Sequence, residues 1–202
     1  MCIRDSYRET LIPSRRLLLD RFELVDYAIK VVGVGSVGTF CGILLMMSGN
    51  GDPLFLQFKE ARQSVLEPYC GASPFGHAGQ RVVMGQRTMQ AASDIFLGWA
   101  TGAGALKRHF FLRQLSDAKI KPVVEIMKAA NLKGYARLCG MALARAHARS
   151  GDAAVLTGYM GKSTAFEDAL ADFSVAYADQ NERDYAALVA AVRSGRIEAH
   201  TE

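Results

Sequence analysis

The sequence contains few of the residues that mark several common classes of protein. Its four cysteines form no Cys-x-x-Cys pair, which argues against a zinc site and against a disulfide framework. No run of lysines or arginines occurs, and a net charge of +4 does not indicate nucleic acid as a partner. No signal peptide is recognisable, because residues 1–6 are not followed by an apolar segment. These absences favour a cytoplasmic protein with reduced thiols.

One long stretch, residues 31–51, has no charged residue at all. It is long enough to cross a membrane. Its six glycines and four polar residues lower its hydrophobicity, so we expect no membrane span. The overall composition is typical of a globular domain, with 50% hydrophobic and 22% charged residues. Residues 1–6 fit poorly with the chain that follows, and we interpret them as a non-native start to a fragment of a longer protein.

The uncharged stretch contains a Gly-x-Gly-x-x-Gly motif at Gly33, Gly35 and Gly38. Glycines at this spacing let backbone N–H groups approach phosphate closely. In a dinucleotide-binding protein the motif would join a strand to a helix. Glu60 would then be the acid that such proteins place about 20 residues after the glycines. In a kinase-like protein it would form the tip of a β-hairpin, and a lysine on the third strand would reach the phosphates. In the plainest interpretation the glycines serve only a tight turn.

The residues after Gly38 favour the hairpin over the helix. The segment 39–43 contains poor or neutral helix formers, and Gly42 would interrupt a helix within its first turns. The sequence Gly-Asn-Gly-Asp at 49–52 then predicts a turn between two strand-like segments. We therefore predict a three-stranded antiparallel meander over residues 27–61, with no helix beginning at Gly38.

Hydrophobic periodicity predicts the remaining elements. In chain order they are a helix at 14–26 capped by Ser14, strands at 27–34, 40–47 and 54–60, a helix at 79–93, strands at 94–100 and 109–115, and helices capped by Asn131, Thr164 with Glu167, and Asn181. The fold class is therefore α+β. It has a helical lead-in (7–26), a kinase-like small lobe made of a five-stranded antiparallel sheet and one helix (27–118), and a helical portion of a large lobe (119–202).

Lys59 is the strongest candidate for a functional residue. It ends the third predicted strand, where Gln57 and Lys59 share one face and Phe58 lies on the other. A lysine in this place suits the neutralisation of phosphate, and the structural alternative is a side chain that extends to water. A kinase-type lysine pairs with a helix glutamate, but the predicted helix at 79–93 contains no acid.

The other candidates are polar residues at the ends or on the surface of predicted elements. They are Arg81 and Gln86 on the helix, Arg113, Gln114, Leu115 and Asp117 at the fifth strand, and His147, Arg149 and Asp152 at a later helix end. The helix residues would face phosphate, the strand-end residues would hold a base at the hinge, and the last group would face a cleft. Their structural alternatives are an exposed helix face, a solvated linker, and cations that complement a helix dipole.

Several segments of the chain resemble one protein family. These segments include KVVGVGSVGT, PLFLQFKEA, GQRVVMGQR, YARLCGMALARAHARSGD and FSVAYADQNERDYAAL. They resemble the C-terminal half of a bacterial domain-of-unknown-function family, number twenty-two fifty-two, over residues 7–197. The N-terminal half of that family carries Gly-Asp-x-His-x-x-Asn-Phe-Gly and Asn-Asp-Phe-Asp-Glu segments. Those are similar to the catalytic loop and the metal-binding motif of aminoglycoside-phosphotransferase-like kinases.

The resemblance implies a circularly permuted kinase-like fold, in which the catalytic loop precedes the glycine loop. The kinase-like interpretation places ATP at Gly33, Gly35, Ser36, Gly38, Lys59, Gln114 and Leu115. The Mg²⁺ ligands and the catalytic residues are expected outside this chain, which contains no recognisable catalytic loop or metal site. Phosphotransfer to an unknown acceptor is therefore expected only of the full-length protein, and we also expect such a fragment to expose apolar helix faces.

One departure from the family bears on Lys59. The family usually has an acid where this chain has Met84, and that acid would be the natural partner of Lys59. Its absence predicts weak ATP binding, at best about millimolar. The leading hypothesis is an ATP-binding phosphotransferase of unknown substrate. The alternatives are a non-catalytic kinase-like protein that senses nucleotide or binds a partner, and, more distantly, a dinucleotide-binding oxidoreductase.

Overall fold

The computed structural model describes residues 3–30, 38–103, 107–116 and 122–199. The chain divides into two compact units, Met1–Ser150 and Gly151–Glu202. The first unit contains a five-stranded antiparallel sheet with helices, and the second is helical. The fold is thus α+β, as the sequence predicts. Within the described ranges, no helix combines the length and the apolar character that crossing a membrane requires.

The sheet of the first unit has the strand order β1-β2-β3-β5-β4, and every neighbouring pair is antiparallel. Its strands are β1 (Phe22–Ile29), β2 (Cys41–Ser48), β3 (Pro53–Ala61), β4 (Gly98–Thr101) and β5 (His109–Gln114). Strands β1 to β3 form the predicted meander. The chain enters β2 at Cys41, so no helix begins at Gly38 and the dinucleotide interpretation loses the structure it requires.

The region before β2 differs from the prediction. Two short helices, α1 (Ile3–Thr10) and α2 (Pro13–Leu19), precede β1, so the predicted helix at 14–26 is wrong in its second half. Pro13, and not Ser14, sets the start of α2, because its fixed φ suits the first helical position. Strand β1 pairs with β2 along its length, and this pairing decides the conformation of residues that are helix-compatible by themselves. Residues 3–6 are part of α1.

Gly42 has a packing role in the meander. Phe58 lies directly across from it on β3. A Cβ atom at Gly42 would lie 2.3 Å from Phe58 Cζ and 2.7 Å from the carbonyl oxygen of Ala28. Only glycine lets the phenyl ring lie this close to the backbone of β2.

The hydrophobic core of the first unit joins the sheet to α1 and α2. Its buried members are Tyr7, Leu11, Leu19, Met46, Leu54, Leu56, Phe96, Ala100 and Leu112. The hydroxyl of Tyr7 donates to the carbonyl oxygen of Phe96 at 2.5 Å. Burial raises the pKa of Tyr7 well above its usual value, so this hydroxyl stays protonated. Leu112 and Phe110, two residues apart on β5, place the core on one face of the sheet.

After β3 the chain forms the short helix α3 (Glu67–Cys70) and then α4 (Ala78–Met89). Helix α4 ends four residues before the predicted boundary, and β4 begins at Gly98 instead of residue 94. Gly79 lies against β5 so closely that a Cβ there would be 2.3 Å from the carbonyl oxygen of Phe110. The absence of a side chain at position 79 therefore lets the helix approach the strand.

The later helices are α5 (Ala129–Ser150), α6 (Ala153–Met160) and α7 (Ala165–Arg193), and a short 3₁₀ helix, Val124–Ile126, precedes them. Asn131 lies inside α5, so it does not cap that helix. Thr164 is the residue before α7, but its hydroxyl donates to Asp168 and forms no capping box. Asn181 lies inside a continuous α7, because one asparagine weakens a long helix by only about 0.5 kcal/mol.

Candidate functional site

The glycine motif lies mostly outside the described residues. Gly33, Gly35 and Ser36 fall in residues 31–37, and their predicted contacts with phosphate stay predictions. Gly38 is described and has a φ of 72°, a left-handed conformation that glycine adopts without strain. Its carbonyl oxygen accepts a hydrogen bond from the Arg62 guanidinium.

The register of the sheet places Lys59 in a row with Cys41 on β2 and Phe111 on β5. Directly opposite residues share a face, and His109 lies on that face too because it is two residues from Phe111. The Nδ1 atom of His109 accepts a hydrogen bond from the backbone N–H of Ala78, at the start of α4. Helix α4 therefore begins on this side of the sheet, which we call the helix-side face.

Lys59 is half-buried on the helix-side face. Among the described residues, no group forms a hydrogen bond or an ion pair with its ammonium group. An ammonium that no protein carboxylate neutralises keeps its whole charge for an anionic ligand. The geometry thus leaves Lys59 able to bind an anion.

A buried polar group lies beside Lys59 on the same face. Gln57 is only 4% exposed, and its side-chain oxygen accepts hydrogen bonds from Arg113 Nε at 3.3 Å and Arg113 Nη2 at 3.1 Å. Its amide nitrogen lies 3.9 Å from the Cys41 sulfur. Gln57 therefore fixes the position of the Arg113 guanidinium.

A cavity of about 600 Å³ opens beside the end of β5. The described residues that line it are Gln86, Gln90, Ser93, Asp94, Ile95, Arg113, Gln114, Leu115 and Ser116. Four of the candidates from the sequence, Gln86, Arg113, Gln114 and Leu115, thus come together around one space. We call this space the strand-end cavity.

The backbone at the rim of the strand-end cavity is already hydrogen-bonded. The Gln114 N–H donates to the Asp94 carboxylate, which also accepts the Phe96 N–H at 2.9 Å. The Leu115 N–H donates to the carbonyl oxygen of Phe55 at 2.8 Å. A ligand in this cavity would therefore meet the side chains of Gln86, Gln90 and Arg113 instead of free backbone N–H groups.

Arg81 and Met84 line a different cavity, of about 520 Å³, between α4 and residues 64–75. Lys59 is not among the described residues that line this space. The Arg81 guanidinium donates from Nη2 to the carbonyl oxygen of Arg62 at 2.9 Å. Arg81 therefore contacts the chain just after β3.

The remaining candidates do not join this site in the described structure. Asp117 lies outside the described residues, and His147 is exposed on α5. Arg149 donates to the carbonyl oxygen of Met89 at 3.0 Å, at the end of α4. Asp152 caps α6, because its carboxylate accepts the N–H groups of Ala154 at 2.8 Å and Val155 at 3.0 Å.

Sequence reasoning missed the role of Glu60. Its side chain is 9% exposed, and the carboxylate accepts the Phe40 N–H at 2.9 Å and the Arg62 Nε–H at 3.0 Å. The hydrogen bond from Arg62 is the main cause that holds the pKa of Glu60 below its usual value. Glu60 comes two residues after Phe58 and so shares its apolar strand face, and an acid in that place is the sequence signal for a paired carboxylate.

Two stacked histidines form the junction between α4 and the sheet. The rings of His77 and His109 have centroids 3.8 Å apart. His77 caps α4, because its Nδ1 accepts the Gln80 N–H at 3.2 Å. Burial, followed by the neighbouring His109, lowers the pKa of His77. The folded protein thus favours the neutral form of the His77 imidazole.

The described residues contain no group of three or more histidine, cysteine, aspartate or glutamate side chains arranged to hold a metal ion. Residues 2–191 match the model of a family described as an uncharacterised protein conserved in bacteria. No curated protein and no solved structure matches the chain.

Proposed function

We propose that this chain, which belongs to the bacterial domain-of-unknown-function family 2252, is the nucleotide-binding lobe of a kinase-like phosphotransferase whose substrate is unknown. The observation that carries the proposal is Lys59 itself, a half-buried residue on the helix-side face whose ammonium has no hydrogen-bond or ion-pair partner within the described part of the chain. It lies near the end of the third strand of an antiparallel meander, where the glycine-rich connection between the first two strands returns to the sheet.

The chemistry of Lys59 supports binding to phosphate. An ammonium group is a compact positive charge that attracts the oxygens of a phosphate. Kinase-like sites use such a lysine to position the phosphates of ATP. Cys41 and Phe111, its neighbours across the sheet, carry no charge that would compete with phosphate.

The strand-end cavity supports a site for the base. It lies at the end of β5, where the kinase-like interpretation places Gln114 and Leu115. Since the backbone N–H groups of both residues are already bonded, a base would be recognised by the amides of Gln86 and Gln90 and by Arg113. The buried Gln57 holds the Arg113 guanidinium in a defined place for this contact.

Magnesium and the catalytic carboxylate would come from outside this chain, as the resemblance implies. In a complete enzyme, Mg²⁺ would neutralise charge on the phosphates that Lys59 binds. The part assigned to this chain is to bind and orient the nucleotide.

A second candidate function is a non-catalytic kinase-like protein that senses nucleotide or binds a partner. The observation that favours it is the position of Met84, which supplies no carboxylate and lines a cavity that does not include Lys59 among its described residues. Without a carboxylate at position 84, none of the described residues holds the Lys59 ammonium in one conformation between turnovers.

The test is an NMR titration of the chain with MgATP, comparing wild type with Lys59→Met and with Lys133→Met. Lys133 is an exposed lysine on α5 and serves as the control. We expect wild type and the control to bind with Kd of about 1 mM, and Lys59→Met to bind at least about tenfold more weakly. Equal affinity of all three proteins, or no binding by wild type, would refute the proposal. In the full-length protein, turnover that is lost with Lys59→Met would support the enzyme. Nucleotide binding by the full-length wild type without any turnover would support the second candidate.

A further inference from the structure

The segment that leads into β2 is held by an unusual set of charged contacts. The half-buried Glu60 accepts the backbone N–H of Phe40 through Oε2 and the Arg62 Nε–H through Oε1. The carbonyl oxygen of Phe40 accepts the Glu60 N–H at 2.7 Å, so the two residues are joined in both directions. Residues 38–40 are thus attached to the end of β3 by one acid and one arginine.

Arg62 extends this set of contacts in two directions. Its guanidinium donates to the carbonyl oxygen of Gly38, and its own carbonyl oxygen accepts the Arg81 guanidinium of α4. The chain of contacts therefore runs from α4, through the end of β3, to the last glycine of the motif. Arg62 is itself mostly exposed, so its contacts are not a consequence of core packing.

Aromatic packing supports the same segment from the core face. The ring of Phe40 stacks on Phe58 at 5.9 Å and meets Phe110 edge-on at 6.2 Å. The Arg108 guanidinium lies over the Phe40 ring, 5.8 Å from its centroid, and 3.8 Å from the Glu60 carboxylate. These contacts fix where Phe40 lies, and the charged contacts of Glu60 and Arg62 add directional hydrogen bonds.

We propose that Glu60 and Arg62 are positioning residues that hold residues 38–40 beside Lys59. We call this pair the clamp, and Arg81 joins it to α4. The inference rests on the proposed function, because it assigns the clamp to nucleotide binding. Cys41, the first residue of β2, lies directly across from Lys59, so displacement of residues 38–40 moves the backbone next to the lysine. A site that is held in place before the ligand arrives loses less entropy on binding.

The experiment compares Arg62→Met with wild type, with Arg145→Met as the control and with Arg62→Lys as the conservative variant. Arg145 is an exposed arginine on α5. The first readout is hydrogen–deuterium exchange of the Phe40 amide without nucleotide, with the Leu115 amide on the other side of β3 as the internal reference. The second readout is the affinity for MgATP.

We expect Arg62→Met to speed exchange at Phe40 about tenfold, to leave Leu115 unchanged, and to weaken MgATP binding about three- to tenfold. Arg62→Lys should restore most of the affinity, since it keeps a cation beside Glu60 and a donor for Gly38. Arg145→Met should match wild type in both readouts. Glu60→Gln, which keeps the shape of the side chain and removes its charge, should change both readouts in the same direction as Arg62→Met.

Three other results would overturn the inference in distinguishable ways. Unchanged exchange at Phe40 in both Arg62→Met and Glu60→Gln would show that no clamp exists, whether or not the affinity for MgATP changes. Faster exchange with wild-type affinity for ATP would show that the contacts are structural only. Faster exchange in a protein whose wild type does not bind ATP would remove the proposed function, and the positioning role with it, while the clamp itself would stand.

Discussion

The sheet of the first unit and helix α7 of the second use apolar residues in opposite ways. In the sheet, Leu56 is 1% exposed and packs within a core built from strands and the N-terminal helices. On α7, Leu170, Phe173 and Tyr177 recur at helical spacing, and Phe173 is 63% exposed. The sheet therefore depends on contacts between distant residues. Helix α7 is defined by its own backbone hydrogen bonds and leaves an apolar stripe at the surface.

A pair of leucine truncations tests this comparison with the largest expected difference in the free energy of unfolding. Leu56→Ala should lower the free energy of unfolding by about 2–5 kcal/mol, because it leaves a cavity in the core. Leu170→Ala, on the exposed stripe of α7, should change it by less than about 0.5 kcal/mol. Urea unfolding measures both values. Similar losses from the two variants would show that the stripe is packed in solution, and the comparison would not hold.

A pair of glycine substitutions sharpens the comparison at the backbone. Gly42→Ala should destabilise by about 1–3 kcal/mol, since its Cβ would overlap the Phe58 ring and the Ala28 carbonyl. Gly140→Ala in the helix α5 meets nothing within 4 Å and should stabilise by about 0.5–1 kcal/mol. Thermal unfolding of the two variants gives the sign of each effect. A neutral Gly42→Ala would mean that Phe58 moves aside at no cost.

A smaller effect concerns pH at the junction of α4 with the sheet. The pKa of His77 is lower in the folded than in the unfolded protein, so the unfolded protein binds the proton more readily. Stability should therefore fall as the pH drops below about 6.5, the usual pKa of histidine. His77→Asn keeps an N-cap acceptor and should flatten this dependence, whereas His147→Asn, at an exposed position, should keep the wild-type slope. Urea unfolding at about pH 7.5 and about pH 5.5 measures the difference.

The smallest effect on stability belongs to the surface of α7. Phe173→Gln should leave the midpoint of urea unfolding unchanged within error and should reduce the binding of an apolar dye. Phe173 stacks on Tyr177 at 5.6 Å, so the variant also removes the aromatic pair. Asp179→Asn, an exposed polar substitution on the same helix, is the control and should not change dye binding. A large loss of stability would show that the stripe is covered in solution.

Much of the sheet could be predicted from local sequence. The Gly-Asn-Gly-Asp turn and its two flanking apolar segments correspond to β2 and β3 within one residue at each end. In the turn, the Ser48 hydroxyl accepts the Asp52 N–H at 3.0 Å, and Gly51 has a positive φ. Turn chemistry is local, so it is readable without the fold.

The errors occur where local signals are weak or where distant pairing decides. The sequence predicts a helix over residues 22–26, but these residues belong to β1, which pairs with β2 except at a bulge at Val25. The sequence predicts no helix at 153–160 and places Asp152 at the end of the preceding helix, whereas Asp152 is the N-cap of α6. The predicted cap at Asn181 is wrong, because a single asparagine does not end a helix that both flanking segments favour.

The candidate site shows the same division. The sequence alone singled out the glycine motif, Lys59 and the group Gln86, Arg113, Gln114 and Leu115, because their residue types and strand positions are visible in the chain. Only the tertiary structure decided that the last four surround one cavity, that Cys41 lies across from Lys59, and that Glu60 and Arg62 hold residues 38–40. The physical reason is that cross-strand register and helix placement join residues that are about 20 or more positions apart, and no local preference encodes such a contact.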